Sequence, residues 1–295
     1  MKRIIFTLLL LINVAFATRL PLPPKGDDLV GAIQFGQVKP GDTIATVAAR
    51  YDVGFFELAE ANPEVDPDHP LVGDELIIPS QYILPHVTRE GIVINLATMR
   101  LYYFPKNASY FYTYPIGIGK ENWNSPQGKL AVVQKIKNPV WVVPESIFKF
   151  RAEHGDPVPH VVPSGPSNPL GYFAMRLSNP TFLIHGTDDP TSVGRRSSAG
   201  CIHLYGDDIK ELFGLTALNT PVLIINQSYL AGWHNGKVMI SAHLPLAEQR
   251  AKLANTSADS VALVNSLGIG DKKIDWQKAE DTLKQHTGIP VQVSS

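Results

Sequence analysis

Between Gly91 and Asn226 the chain is broken into short apolar runs by Gly, Pro, Asn and Asp, and none of the runs is long enough for a core helix. Ile92-Val93-Ile94-Asn95-Leu96, a tight turn and Arg100-Leu101-Tyr102-Tyr103-Phe104 read as a hairpin. Further β-rich runs lie at 110–118, 130–137, 172–177, 181–184 and 221–226. Segments this short, rich in β-branched and aromatic residues, satisfy their backbone only by pairing with one another. The fold class expected is therefore mainly β: an antiparallel sandwich or barrel-like domain over residues 90–226. The 24 prolines, matching the 23 glycines, fit strands and turns better than a helical bundle.

The 295 residues leave room for more than one domain. With 44% hydrophobic and 18% charged residues, disorder is excluded as the main state. A net charge of −1 gives no basic field, so a nucleic-acid partner is not expected. Lys2 and Arg3, the apolar stretch Ile4 to Val14 and Ala15-Phe16-Ala17 form a secretory signal peptide, 1–17. The stretch is too short to span a bilayer comfortably, so no integral membrane segment is expected after cleavage. The exported compartment sharpens the cysteine count. Cys201 stands alone, so no intramolecular disulfide forms, and a free thiol there is either used or buried and inert.

Residues 18–32 are Pro-rich and read as a linker. From 33 to 79 the order is strand, helix, helix, strand. Ile33, Phe35 and Val38 begin it, and Asp42 or Thr43 caps a helix carrying Ile44, Val47, Ala48 and Tyr51. A second helix carries Phe55, Leu58 and Ala61, and Leu71 to Pro79 returns as a strand. Residues 227–295 form an extension of unassigned role. It is expected to hold a hairpin turning at Asn235-Gly236, a helix over 246–255, and a last helix from Asp275 past Trp276, Ala279 and Leu283.

The chemistry lies where one strand brings His185 into a Gly-containing turn and a Ser/Gly-rich loop brings Cys201 sixteen positions later. An imidazole beside a thiol can take its proton and stabilise the thiolate. Ala199 and Gly200 allow close backbone approach, and their N–H groups with that of Cys201 are candidates for an oxyanion hole. One cysteine with scattered histidines lacks metal-ligand spacing, so no metal and no cofactor is expected.

These stretches resemble the L,D-transpeptidase catalytic (YkuD-type) family. The carriers are His185-Gly186, Ser198-Ala199-Gly200-Cys201-Ile202-His203, Ser125-Pro126-Gln127-Gly128 and the run Pro163 to Gly171. Residues 33–79 resemble a LysM domain, a module that binds peptidoglycan sugars, through Pro40-Gly41-Asp42-Thr43-Ile44, Ala61-Asn62 and Gly73 to Pro79. The domain order is most like the Gram-negative periplasmic subgroup that attaches the major outer-membrane lipoprotein to peptidoglycan.

The resemblance implies Cys201 as nucleophile, His185 as base, the Gly186 carbonyl as orienter of the imidazole and Gly200 in the catalytic loop. It implies substrate contacts from Ser198, Ala199, His203, Arg196, Asn168, Gly171 and Tyr172. The implied partners are peptidoglycan stem peptides and an outer-membrane lipoprotein. The implied reaction is a thioester with a tetrapeptide stem, release of D-Ala, and transfer to an amine. Carboxypeptidase or amidase action on the same bonds, or a decayed peptidoglycan-binding protein, are the alternatives. Two positions depart from the family: Ala199 stands where it usually has His, and His203 where this subgroup usually has Arg. A histidine there can donate to a substrate carboxylate but lacks the two-pronged geometry of Arg; Arg195 or Arg196 is the candidate to compensate.

Overall fold

The computed structural model describes residues 18–295, so the expected leader 1–17 lies outside the described residues. The architecture is mainly β. Nine strands form one curled sheet in the order Thr18–Pro21, Tyr110–Pro115, Arg100–Phe104, Gly91–Asn95, Pro221–Ile225, Gly128–Lys137, Phe173–Leu177, Leu183–His185, Ile202–His203. The sheet is not purely antiparallel. Gly91–Asn95 runs parallel to Pro221–Ile225, and Leu183–His185 parallel to Ile202–His203. Parallel neighbours require crossovers, which single-run reading of strands does not reveal. Ile92, Ile94, Leu101, Met175, Ile184 and Ile224 are fully buried in the core beneath the sheet. Truncating one, as in Ile94→Ala, costs about 2–5 kcal/mol.

The Pro-rich segment is not a linker. Thr18–Pro21 is an edge strand on Tyr110–Pro115, and Leu29–Gly31 pairs with Gln81–Ile83. Pro21 sits at the end of an edge strand, where a missing N–H costs little. Asp28 fixes the segment from inside, bonding Arg89 at 2.6 Å and the Trp233 N–H at 3.0 Å.

The βααβ unit has α1 at Ile44–Arg50 and α2 at Phe55–Ala61, between the paired strands Gln34–Gln37 and Glu75–Ile78. Thr43 caps α1 in a capping box with Thr46. Val38, Ile44, Val47, Leu58, Leu76 and Ile78 make its core, whereas Phe35 is 61% exposed. Asn62 bonds the Leu58 and Ile77 carbonyls and receives the Ile77 N–H, tying α2 to the return strand.

Two further helices follow: α3 at Glu145–Glu153, with no buried residue, and α4 at Gly206–Leu215, which packs on Phe173–Leu177. At the C-terminal end Tyr229–His234 and Lys237–Ala242 form a hairpin through Asn235 and Gly236, both at positive φ, as the two-residue turn demands. The helix expected over 246–255 is absent. Those residues form a short 3-10 turn at Ala247–Gln249, and Asn255 instead caps α5, Thr256–Asn265, by accepting from the Ala258 N–H. Asp275 caps α6, Trp276–Gln285.

Candidate active site

His185 ends the strand Leu183–His185, with Phe173–Leu177 antiparallel on one side and Ile202–His203 parallel on the other. The parallel register sets His185 beside His203, ring centroids 6.0 Å apart, and puts Cys201 at the mouth of the neighbouring strand. His185 Nδ1 lies 2.5 Å from the Gly186 carbonyl. A carbonyl only accepts, so Nδ1 carries the proton and Nε2 keeps its lone pair. Gly171, at φ +64°, packs on Gly186; a Cβ on Gly171 would sit 3.0 Å from the Gly186 Cα. The bare Gly171 permits that backbone contact, which sets the turn after His185.

The loop before Cys201 is held by one hydroxyl. Ser198 Oγ donates to the Cys201 carbonyl at 2.6 Å and accepts from the Gly200 N–H at 3.1 Å. The Gly200 N–H is therefore already spent, which corrects its expected place in an oxyanion hole. What Gly200 supplies is conformation: its φ is +106°, and a Cβ there would meet the Phe182 ring at 2.7 Å.

Burial disfavours the charged form of both groups. Burial, then the neighbouring His203, pushes the His185 pKa down to about 3, against a smaller upward pull from Gly186. Burial pushes the Cys201 thiol up, opposed by the Leu183 backbone hydrogen bond and by Arg176. A thiol beside a neutral imidazole is the form these shifts favour, rather than a preformed ion pair. His203 is pushed down to about 4 by burial. Its Nε2 reaches the Ser192 carbonyl at 3.2 Å, and a Cβ on Gly117 would lie 2.0 Å from that nitrogen. His203 is thus packed between Ser192 and Gly117, where burial disfavours its charged form.

His185 and Cys201 face one cleft of about 500 Å³, together with Ser198, Ala199 and the edge of His203. Four expected contacts lie elsewhere, Gly171 among them, packed on the Gly186 backbone. Arg196 is spent on the Gly119 carbonyl, Asn124 and Glu248, away from the cleft. Asn168 is fully buried, with its side chain bonded to the carbonyls of Pro139, Val162 and Pro163 and to the Leu170 N–H, so it shapes a loop rather than meeting substrate. Tyr172, 48% exposed, lines a separate groove with Asp52 and Asp208. Arg195 lies 3.3 Å over the Phe55 ring in the βααβ unit. What reading the sequence missed is the opposite wall: Trp123, Trp141, Ile147, Phe150 and Arg151. They belong to or touch a flap made of α3 and the pair Trp141–Val142 with Val161–Val162. Its sequence signal was an apolar run, Val140 to Val143, in which Val140 and Val142 stay exposed.

Residues 89–224 match the model of the L,D-transpeptidase catalytic domain, and residues 37–79 match that of the LysM domain. The probable L,D-transpeptidase ErfK/SrfK of Escherichia coli is 36% identical over 98% of this chain and 95% of its own length. The probable L,D-transpeptidase YcfS of the same organism is 41% identical over 80% of this chain and 75% of its own. Among solved structures, the catalytic domain of an Enterococcus faecium L,D-transpeptidase is 24% identical over 48% of this chain and 100% of its own, with a TM-score of 0.37. With full-length identity at this level, the chain belongs to the L,D-transpeptidase family and carries a LysM domain ahead of its catalytic domain.

Proposed function

We propose that this L,D-transpeptidase acts on peptidoglycan in the periplasm through a Cys201 thioester, with a lipoprotein lysine or a second diaminopimelate as the acceptor amine. The observation that carries the reading is the shared cleft, in which the Gly186 carbonyl fixes His185 in the tautomer with Nε2 open.

The steps follow from that tautomer. Cys201 Sγ attacks the carbonyl of the third stem residue while its proton passes to His185 Nε2. The amide C–N bond to D-Ala breaks, and the leaving nitrogen takes that proton back from His185. An acceptor amine then attacks the thioester, gives its proton to His185, and expels the thiolate, which is reprotonated. Because burial favours the neutral thiol and the neutral imidazole, proton transfer accompanies C–S bond formation on this reading. Ser198 holds the loop in place; its Oγ would have to release the Gly200 N–H before that group could serve an oxyanion.

Mass spectrometry of the full chain mixed with tetrapeptide muropeptides tests the reading. The expected result is a tripeptide adduct on Cys201, free D-Ala, and transfer of the adduct to added amine. Tripeptide release that added amine never intercepts would instead assign carboxypeptidase action, and the absence of any adduct on Cys201 would remove the mechanism.

A further inference from the structure

The LysM unit does not hang beside the catalytic domain. It grips the active-site loop on both sides of Cys201. Upstream, the first N–H groups of α2 donate into that loop: Phe55 N–H to the Val193 carbonyl at 3.2 Å and Phe56 N–H to the Gly194 carbonyl at 3.1 Å. Helix N-termini need such acceptors, and here the strap leading to Cys201 supplies them. The fit leaves no space. Gly194 has φ +78°, and a Cβ on it would lie 2.0 Å from the Phe55 nitrogen. The next residue, Arg195, lays its guanidinium 3.3 Å over the Phe55 ring.

From Gly194 the strap runs straight into the site. Gly194 N–H bonds the Ile116 carbonyl, Arg196–Ser198 pairs with Ile118–Gly119, and Ser198 then fixes Gly200 and Cys201. Ser192, just before the strap, holds His203. Downstream of Cys201, Tyr205 donates to the Val53 carbonyl of the LysM unit at 3.1 Å.

A buried ion pair locks the seam. Glu57 of α2 accepts from the Gly54 N–H at 2.8 Å and from Arg100 Nε and Nη2, each at 2.7 Å. Arg100 rises from the catalytic sheet, is fully buried, and also bonds Thr113 and stacks on Tyr82. A wall-binding module joined only by a tether would need none of these contacts.

We propose that the LysM unit is a positioning element of the active site: by clamping Val193–Arg195 and Tyr205 it sets the loop that presents Cys201 to His185. This rests on the thioester reading above. Loosening the clamp displaces the nucleophile without touching the substrate, and a displacement on the order of 1 Å costs about a hundredfold in rate.

The test uses the full chain with a soluble disaccharide tetrapeptide and a small amine, so that wall anchoring contributes nothing. Three seam variants are compared: Gly194→Ala, Phe55→Leu and Tyr205→Phe. Both kcat, counted per molecule folded by circular dichroism, and KM are measured, along with pelleting on insoluble peptidoglycan. The expected result is a kcat lowered about tenfold or more for Gly194→Ala and about threefold for each of the others, with KM and pelleting unchanged. Should Gly194→Ala fail to fold, the milder pair decides. Wild-type kcat in the folded variants, with only melting temperature or pelleting altered, overturns the proposal and leaves the LysM unit as an anchor. A wild-type enzyme that forms no thioester is a different failure, and it falls on the mechanism.

Discussion

The floor and the flap of the cleft are built on opposite principles. On the floor, His185 and His203 are buried in a hydrogen-bonded sheet, and each has a ring nitrogen bonded to a backbone carbonyl. Ser198 ties down the turn between them. The flap is the reverse. Helix α3 has no buried residue, Val142 and Val161 are 69% and 52% exposed, and its two-residue strands pair only with each other. Low burial and few ladder bonds place the flap at the low-stability end of the molecule. On the proposed mechanism, the reacting groups sit on the half that stays still, and the half that can rearrange is the one left to meet the rest of a substrate.

The largest effect should come from the floor. Cys201→Ala removes the proposed nucleophile and should abolish thioester formation and transfer while leaving the melting temperature within a few degrees, since the thiol packs as a small group. Intact-mass measurement with muropeptides reads the first, thermal unfolding the second. Any transfer by the variant would break the division between floor and flap at its base. Next comes His185→Gln, which keeps a polar side chain but no base. Turnover should fall by about 10²–10⁴ with KM little changed, as expected of a group acting on the proton in flight. Steady-state kinetics that show a raised KM and near-normal kcat would mean His185 binds substrate instead.

The flap should fail differently. Phe150 is one of its contacts with the body: its ring meets Trp123 edge-on at 5.7 Å, and Lys120 Nζ sits 3.9 Å over it. Such contacts are worth about 0.5–1.5 kcal/mol each. Phe150→Ala should therefore raise KM about tenfold, leave kcat within a few-fold, and increase the share of thioester lost to water, because the wall that excludes water has loosened. Product ratios at fixed amine concentration measure that share. An unchanged KM and partition would mean the flap is a bystander.

How legible each half was in the sequence follows the same line. The floor was readable because its residues are constrained by pattern: a strand ending in His185-Gly186 and a small-residue loop ending in Cys201. The flap was not. Glu145–Glu153 has neither an apolar face nor a side-chain cap, so no periodicity marked it as a helix. Motif residues also misled in a specific way. Asn168 and Arg196 sit in or beside family motifs, yet their polar atoms are consumed by carbonyls and neighbours that only the fold brings near, such as Pro139 and Glu248. The Thr18–Pro21 strand was invisible because its partner, Tyr110–Pro115, is remote in sequence and its prolines suggest a tether. The seam between LysM and catalytic units was hidden for the same reason: Glu57 and Arg100 are 43 positions apart, and only the fold makes them partners.

The smallest effect concerns charge on the floor, and it separates His203 as packing from His203 as a substrate ligand. Both histidines have folded pKa values below the ordinary 6.5, about 3 for His185 and about 4 for His203, through burial first. A depressed histidine contributes stability that is full above 6.5 and is lost as pH falls toward the folded value, by at most about 1.4 kcal/mol per pH unit per group. Asp208 acts in the opposite sense, since burial, then Asp52, raises its pKa, and its contribution is lost as pH rises above 3.8. The wild-type melting profile is therefore a difference of terms, and a variant is needed to extract one. His203→Gln retains an N–H for the Ser192 carbonyl and cannot titrate. Between pH 7 and pH 5 its melting temperature should fall less steeply than that of the wild type, by a few degrees. Above pH 6.5 the two proteins should show the same pH profile of kcat/KM, because a group already neutral has no charge to lose. If the wild type instead loses turnover above neutrality and His203→Gln does not, then His203 is charged when substrate binds, and the floor is less rigid and less dry than its hydrogen bonds indicate.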